Sequence, residues 1–441
     1  MRILIISAFF PPCNNIASLR PYSWAKWWSK DGHKVTVISS DIYQEPKNLQ
    51  LDCSGFKVIQ TPSNVPGFYR KLTDIAKGKR KKEIDNNYKL QSNGKKSIIR
   101  KVLDWYEYTG IFGMLRYPDW YDWWINKVKK LISPFDYDMV ITTSAPFGAH
   151  RIGYYIKKSN PLCTWICDWR DLLSDNQNYT GLPIFHWYEH HLEKMFDNTA
   201  DCVTSVSEEL CNIIKKRTTK PVYVIYNGFD SEYIDTIIHQ KEDLLNTFTI
   251  AYTGTIYKGK QNPYALFKAV SELNNEGKIT PFDLQLFFAG KCDCKESITQ
   301  LKITEYYNYM GYIPYEEAIN LQHNSDTLLF LEPITGDYKG LLSGKIFEYL
   351  YTANEICSIG NDPENSTRKV IKECNAGVAL GNDVQAIKQY LLTRIEQKKQ
   401  GIPYKANKNM NEIMKYHRKA QAEKILSLVK NEEIKYSNTL L

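Results

Sequence analysis

The sequence contains no apolar run approaching the roughly 20 residues that a membrane-spanning helix needs. Its first apolar run, 3–10, is too short for a signal peptide and stops at Pro11-Pro12. The ten cysteines are scattered, with only Cys292 and Cys294 close together, and no spacing fits a zinc site or a disulfide framework. Reduced thiols in a cytosolic protein are therefore expected. No Gly-x-Gly-x-x-Gly turn follows the first apolar run, which argues against a dinucleotide there. No Asp-x-Asp-type motif stands at a strand end, so no metal ligands are expected. Charge of one sign is also scarce: a net +8 over 441 residues suits an anionic substrate or membrane surface without demanding nucleic acid. No nucleic-acid reader motif accompanies the basic residues, so no nucleic-acid partner is expected.

What is present is a globular chain, 43% hydrophobic and 24% charged, longer than one hydrophobic core usually organises. Two domains follow as the expectation. The run 1–10 has the continuous apolar character of a strand buried in a parallel sheet. An amphipathic helix over 19–30, a closing Asp31-Gly32-His33 and a strand over 34–39 complete a βαβ start. The same rhythm resumes at 138–143, with further strands at 162–167, 201–205 and 221–225 and helices at 149–158, 183–197 and 207–216. A polar helical stretch, 230–246, reads as a bridge to a second α/β series. That series has strands at 247–253, 283–289, 308–310, 326–332, 356–359 and 377–380 and helices at 263–275, 316–323, 383–399 and 409–430.

Three stretches carry chemistry. The first is 340–359, Gly-Leu-Leu-Ser-Gly-Lys-Ile-Phe-Glu onward, between two strands. Ser343 and Gly344 stand where a helix would open, with its free N–H groups directed at an anion. Lys345 adds a positive charge, and Glu348 a carboxylate able to accept two hydroxyl bonds, as from a ribose. Diphosphate beside ribose describes a nucleotide; the alternative is an ordinary capped helix with two surface charges. The second stretch is Asp168-Trp-Arg-Asp171 at the carboxyl end of a strand, where open α/β sheets place ligands, or else a structural ion pair. The third, 65–130, sets a dozen lysines and arginines before a run of tryptophans and tyrosines. That composition fits an anionic bilayer surface, or a solvated loop followed by aromatic core helices.

Taken in order, five segments resemble the retaining glycosyltransferases of family 4. They are the first strand with Pro11-Pro12 and Gly32–Val37; Asp168–Asp171; Asn227-Gly-Phe-Asp230; Tyr252-Thr-Gly-Thr255 with Lys260; and Ser343-Gly-Lys-Ile-Phe-Glu-Tyr349. The resemblance implies an α/β GT-B fold, two Rossmann-like doubly wound domains facing across a cleft. Domain one would span 1–230 on the acceptor side, with the insertion near 65–130. Domain two would span 245–415 on the donor side, and 416–441 would be a terminal helix and tail. The donor site would comprise Gly254, Thr255, Lys260, Ile313, Asp337, Leu342, Ser343, Gly344, Lys345 and Glu348. Arg170 would contact sugar, and Asp168, Asp171 and His150 would be catalytic candidates by position. Asn14, Asn15 and Arg20 would face the acceptor. The chain departs from the family at Thr255, where many members carry Arg, at Gly340, where many carry Glu, and at Asn14-Asn15, where paired glycines are usual. Lys258 or Lys345 would replace the first, and Asp337 or Glu332 the second.

These departures resemble bacterial enzymes that build surface polysaccharides, lipopolysaccharide or capsule, on lipid carriers. The implied reaction moves a sugar from a nucleotide diphosphate, UDP rather than GDP, to a lipid-linked or glycan acceptor with retention and without a cofactor or metal. The expected location is the cytoplasm, at the inner face of the membrane. The alternatives are a nucleotide-sugar 2-epimerase of the same architecture and a binding protein without turnover.

Overall fold

The computed structural model describes residues 1–42, 46–71, 117–175, 183–238, 247–257, 259–292, 294–333, 342–362, 365–402 and 406–439. They divide into two units. Unit 1 comprises Met1–Ile225 and Ala422–Leu441, and unit 2 comprises Tyr226–Gln421.

Unit 1 is built on β1 (Arg2–Ile6), β2 (Lys34–Ser40), β3 (Lys57–Thr61), β4 (Met139–Ser144), β5 (Thr164–Trp169), β6 (Cys202–Ser205) and β7 (Val222–Val224). The order is β3-β2-β1-β4-β5-β6-β7, with every neighbour parallel. Ile3, Leu4, Ile5 and Ile6 of β1 are all fully buried, because both faces of a parallel sheet are covered by helices. The order in which strands are added reverses between β1 and β4, and the crevice there is where doubly wound sheets take ligands.

The first helix is longer than its periodicity suggests. It runs Ile16–Lys30 because the Asn15 side chain accepts from the Ala17 amide at 2.9 Å and starts it a turn early. Strand β5 extends to Trp169, so Asp168 lies inside the strand and not in the loop beyond. Of the aromatic run, Tyr121 and Trp124 are core: Trp124 is fully buried and its Nε1 donates to Thr61 Oγ1 at 2.8 Å. Trp123 is half exposed. Most of the basic cluster falls in 72–116, outside the described residues.

Unit 2 repeats the plan with β8 (Phe248–Thr253), β9 (Leu284–Ala289), β10 (Tyr307–Gly311), β11 (Thr327–Leu331), β12 (Glu355–Ile359) and β13 (Gly377–Ala379), ordered β10-β9-β8-β11-β12-β13 and parallel throughout. Its switch point lies between β8 and β11. Of the expected bridge, Ser231–Ile237 is helical and 239–246 lies outside the described residues. Among the described residues no helix is long and apolar enough to cross a membrane.

The last helix, Arg418–Thr439, begins in unit 2 and continues into unit 1. Ala422, Ile425, Leu426, Leu428 and Val429 join the unit 1 core, and Trp28 Nε1 donates to the Ala422 carbonyl at 3.0 Å. Residues 422–441 therefore group with the first unit and are not a separate tail. Ile425 is fully buried, so Ile425→Ala is expected to cost unit 1 about 2–5 kcal/mol through lost transfer energy and a cavity. Urea unfolding followed by tryptophan fluorescence measures it, and a cost below about 1 kcal/mol would show that the helix is not core.

Candidate functional site

At the switch point of unit 2, β8 ends in Gly254, with φ +126°; a Cβ there would lie 2.7 Å from Lys345 Nζ. Gly290, following β9 with φ +112°, approaches so closely that a Cβ would lie 2.3 Å from the Gly254 carbonyl oxygen. Glycine at both positions leaves the carboxyl edge of this half-sheet as bare backbone.

Over that edge opens the helix Gly344–Tyr351. Ile346, Phe347, Tyr349 and Leu350 bury its apolar face in the core of unit 2. Ser343 occupies the N-cap position, but its side chain caps no amide. The leading N–H groups are thereby left for an anion.

Lys345 Nζ donates to the Tyr252 hydroxyl at 3.0 Å and lies 4.4 Å from the centre of that ring. Burial pushes its pKa down to about 8. The Tyr252 hydroxyl donates in turn to the Thr255 carbonyl at 2.8 Å. Glu348, 5% exposed, accepts from the Tyr315 hydroxyl at 3.1 Å and lies 3.4 Å from Gln322 Nε2. Burial raises its pKa, opposed by the field of Arg418 and by the hydrogen bonds from Gln322 and Tyr315. Gln322 Nε2 also donates to Thr253 Oγ1 at 3.0 Å, whereas its Oε1 is buried with no partner among the described residues. At the far end of the helix, Lys408 Nζ donates to the carbonyls of Tyr349, Leu350 and Thr352 at 2.8, 3.2 and 2.7 Å. One cation thus satisfies carbonyls that the helix terminus leaves open. An open helix N-terminus, an ammonium and a carboxylate with unused lone pairs can together hold phosphate and a vicinal diol.

Of the other donor candidates, Leu342 is buried just before the helix, Ile313 is half-buried after β10, and Lys260 is exposed beyond the Gly254 turn. Asp337, with Lys258 and Gly340, lies outside the described residues. Glu332, a possible stand-in at the Gly340 position, is taken by Arg368 at 2.7 and 3.0 Å and by Ser358 at 2.7 Å. Tyr315 and Gln322 were not among the sequence candidates, and Tyr252 entered only as part of the Tyr252-Thr-Gly-Thr255 segment, with no role of its own. Each acts through a residue far along the chain, which no local motif records.

In unit 1 the carboxyl edge is occupied by internal pairs. Asp168 is fully buried and accepts from Arg20 at 2.7 and 3.1 Å, from Thr143 at 2.7 Å and from Thr204 at 2.7 Å. Burial alone would raise its pKa, but Arg20 and the two hydroxyls outweigh it and hold the carboxyl below its ordinary value. Arg20, expected to face an acceptor, is instead 5% exposed and committed to this pair. Arg170 spends its guanidinium on the carbonyls of Ser144, Ala145 and Ala17, the last two at 2.8 and 3.1 Å. His150 is enclosed: Nδ1 lies 2.8 Å from Thr142 Oγ1, and the Trp169 ring centre is 4.2 Å away. Burial pushes its pKa down to about 3, which makes it a neutral core histidine in place of an accessible base. Asp171 is exposed in the loop after β5. Asn14 bonds Asn48 at 2.8 Å, and Asn15 is the cap already described.

Arg20→Met would strand the buried Asp168 carboxylate and is expected to cost about 3–5 kcal/mol at neutral pH. Because the folded-state pKa of Asp168 is depressed, the pair's contribution is present above the ordinary value of 3.8 and is lost as pH falls below it. In the variant, burial raises the pKa of the stranded carboxyl, which takes up a proton first, so the gap between the two proteins in urea midpoint should narrow steadily as pH falls toward and below 3.8; a gap independent of pH would contradict this electrostatic account.

Residues 98–233 match the family model Glycosyltransferase Family 4. No curated protein sequence matches the chain. Among solved structures, sucrose-phosphate synthase from Thermosynechococcus elongatus superposes with a TM-score of 0.59 at 10% identity, over 98% of this chain and 99% of that one. The α,α-trehalose 6-phosphate synthase from Burkholderia multivorans gives 0.58 at 9% identity, over 100% and 98%. The lipopolysaccharide outer core galactosyltransferase WaaB gives 0.53 at 13%, over 98% and 100%. At these identities the likeness is one of fold. The family match covers the segment that leads through β4 to β7, and the two doubly wound parallel sheets share the GT-B fold of these glycosyltransferases along the whole chain.

Proposed function

We propose that the protein transfers a sugar from a nucleotide diphosphate to a lipid-linked or glycan hydroxyl, with retention, in the synthesis of a bacterial surface polysaccharide. The observation that carries this reading is the Gly344–Tyr351 helix, with an uncapped N-terminus, Lys345 on its first turn and buried Glu348 one turn on. In this reading unit 2 binds the donor. The backbone of Leu342, Ser343 and Gly344, the bare turn at Gly254 and Thr255, and the amines of Lys345 and Lys260 meet the diphosphate. They balance charge that grows on the leaving group, so no divalent ion is called for. Glu348 accepts from the ribose hydroxyls. The loop with Ile313 borders the base, and Asp337 is a candidate stand-in for the carboxylate that many members carry at the Gly340 position. UDP is the first donor base to try, since a trehalose-phosphate synthase from Burkholderia xenovorans of the same fold is described as UDP-forming.

Unit 1 would receive the acceptor. Asp171, exposed at the carboxyl edge of β5, is the member of its cluster open to a substrate. Asp168, Arg170 and Arg20 would hold that edge in shape. The basic and aromatic segment near 65–130 would bring the enzyme to the anionic inner face of the membrane, where lipid-linked acceptors reside.

Glu348→Ala should weaken UDP binding on the order of 10- to 100-fold, the loss of one or two charge-assisted hydrogen bonds. Titration calorimetry reads this directly, and an unchanged affinity removes Glu348 from the ribose. A thermal-shift series with UDP, GDP, CDP and ADP selects the base, because a ligand of the folded state raises its stability.

Binding to vesicles containing anionic lipid should be present at low salt and weaken as the Debye length falls from about 10 Å at 0.1 M to about 3 Å at 1 M. Sedimentation of the protein with vesicles measures it, and absent or salt-insensitive binding would dismiss the membrane contact.

A further inference from the structure

Lys345 is a half-buried cation whose hydrogen-bond partner bears no charge. Among the described residues its one hydrogen bond is to the Tyr252 hydroxyl, at 3.0 Å, and the Tyr252 ring centre lies 4.4 Å from Nζ. A cation over an aromatic face is attracted by the ring's quadrupole and receives no countercharge from it. Tyr252 is itself 1% exposed in β8 and is anchored there by donating to the Thr255 carbonyl at 2.8 Å. The hydroxyl has one proton and has spent it, so toward Lys345 it can only accept. Gly254 completes the berth, because a Cβ at that position would stand 2.7 Å from Nζ. The ammonium is therefore aimed at the Gly254 turn from the first turn of the Gly344–Tyr351 helix and is held loosely enough to be released.

We propose that Tyr252 is a positioning residue for Lys345: it holds the ammonium beside the Gly254 turn until a nucleoside diphosphate takes it over at the phosphate furthest from the ribose. The proposal rests on the reading of this helix as the diphosphate end of the donor site. It assigns to Tyr252 the discrimination between nucleoside diphosphate and monophosphate, since only the former carries that second phosphate. The titratable groups whose fields bear on Nζ are Glu348 and Cys292, both of which favour its charged form against burial.

The test is calorimetric titration of the full chain with UDP and with UMP, for the native protein, Tyr252→Phe and Lys345→Met. Lys345→Met should weaken UDP at least about tenfold and UMP by much less, the loss of one charge-assisted contact. Tyr252→Phe should weaken UDP about three- to tenfold with UMP nearly unchanged, as for the loss of one hydrogen bond that orients the cation. Removing the hydroxyl also removes a bond that favours the ammonium form. The fall in UDP affinity at alkaline pH, followed from about pH 7 to 9.5, should then begin at lower pH in Tyr252→Phe than in the native protein. A merely structural role would lower both affinities together and leave that limb in place.

If Lys345→Met loses UDP while Tyr252→Phe keeps the native UDP-to-UMP ratio and the native alkaline limb, the proposal falls and the donor site stands. If the native protein binds neither nucleotide, nor GDP, CDP or ADP, the donor-site reading falls and takes the proposal with it. Tyr252→Phe deletes one oxygen and keeps the ring, so the fold is retained and the variant decides the question.

Discussion

Lys345 and Glu348 stand one turn apart on the same helix and yet do not pair. Opposite charges at this spacing ordinarily reach each other. Here both side chains are drawn away, Lys345 to Tyr252 and Glu348 to Tyr315 and Gln322. Keeping them apart takes three elements. Strand β8 supplies Tyr252, the helix Tyr315–Asn324 supplies both partners of Glu348, and Lys408 holds the far end of the Gly344–Tyr351 helix. In the proposed reading, a half-buried ammonium and a buried carboxylate that do not pair with each other would be available to a ligand that is anionic at one end and hydroxylated at the other. The parallel sheet beneath, with glycine at the ends of β8 and β9, provides the surface across which such a ligand approaches.

The corresponding edge of unit 1 solves its charges internally. Asp168 fills its acceptor sites with Arg20, Thr143 and Thr204, and Arg170 spends its donors on carbonyls. A carboxylate so fully bonded has little left for substrate, and breaking its pair would leave a charge in the core. The same kinds of residue at the same place in the same topology therefore do different work in the two sheets. In unit 1 they fix the edge; in unit 2 they leave it reactive toward an anion.

Much of this was legible in the sequence. Runs such as Arg2–Ile6 and Phe248–Thr253 announce buried parallel strands, because only burial on both faces tolerates so continuous an apolar series. Strand β3 was not foreseen, since Lys57 and Gln60 break the pattern of a half-buried edge strand. The Ser343-Gly-Lys-Ile-Phe-Glu motif was legible because its spacing is local and helical. The contacts of Tyr252, Tyr315 and Gln322 were not, because their partners lie 93, 33 and 26 residues away. Depth was the other hidden quantity. His150 and Asp168 look reactive in sequence, and only packing shows that both are sealed in the core. The terminal helix was recognisable as a helix, but either unit could have offered an apolar face, and its residues do not say which does.

Burying an ammonium without a carboxylate has a thermodynamic consequence that ties the site to the stability of the fold. Burial lowers the pKa of Lys345 from 10.5 to about 8. Between those values the unfolded chain holds more protons than the folded one, so this residue's share of stability rises with pH across that interval. Below about 8 the cost of the buried charge is present in full, which includes neutral pH. An arriving anion supplies the missing countercharge, raises the pKa back and removes the cost. In the proposed reading, relief of this cost would be one contribution to the ligand's affinity. A carboxylate in place of Tyr252 would have stabilised the empty site and, by the same sum, weakened its hold on phosphate. The neutral hydroxyl and ring leave the ammonium without a countercharge, and in the proposed reading that incompleteness would favour a diphosphate.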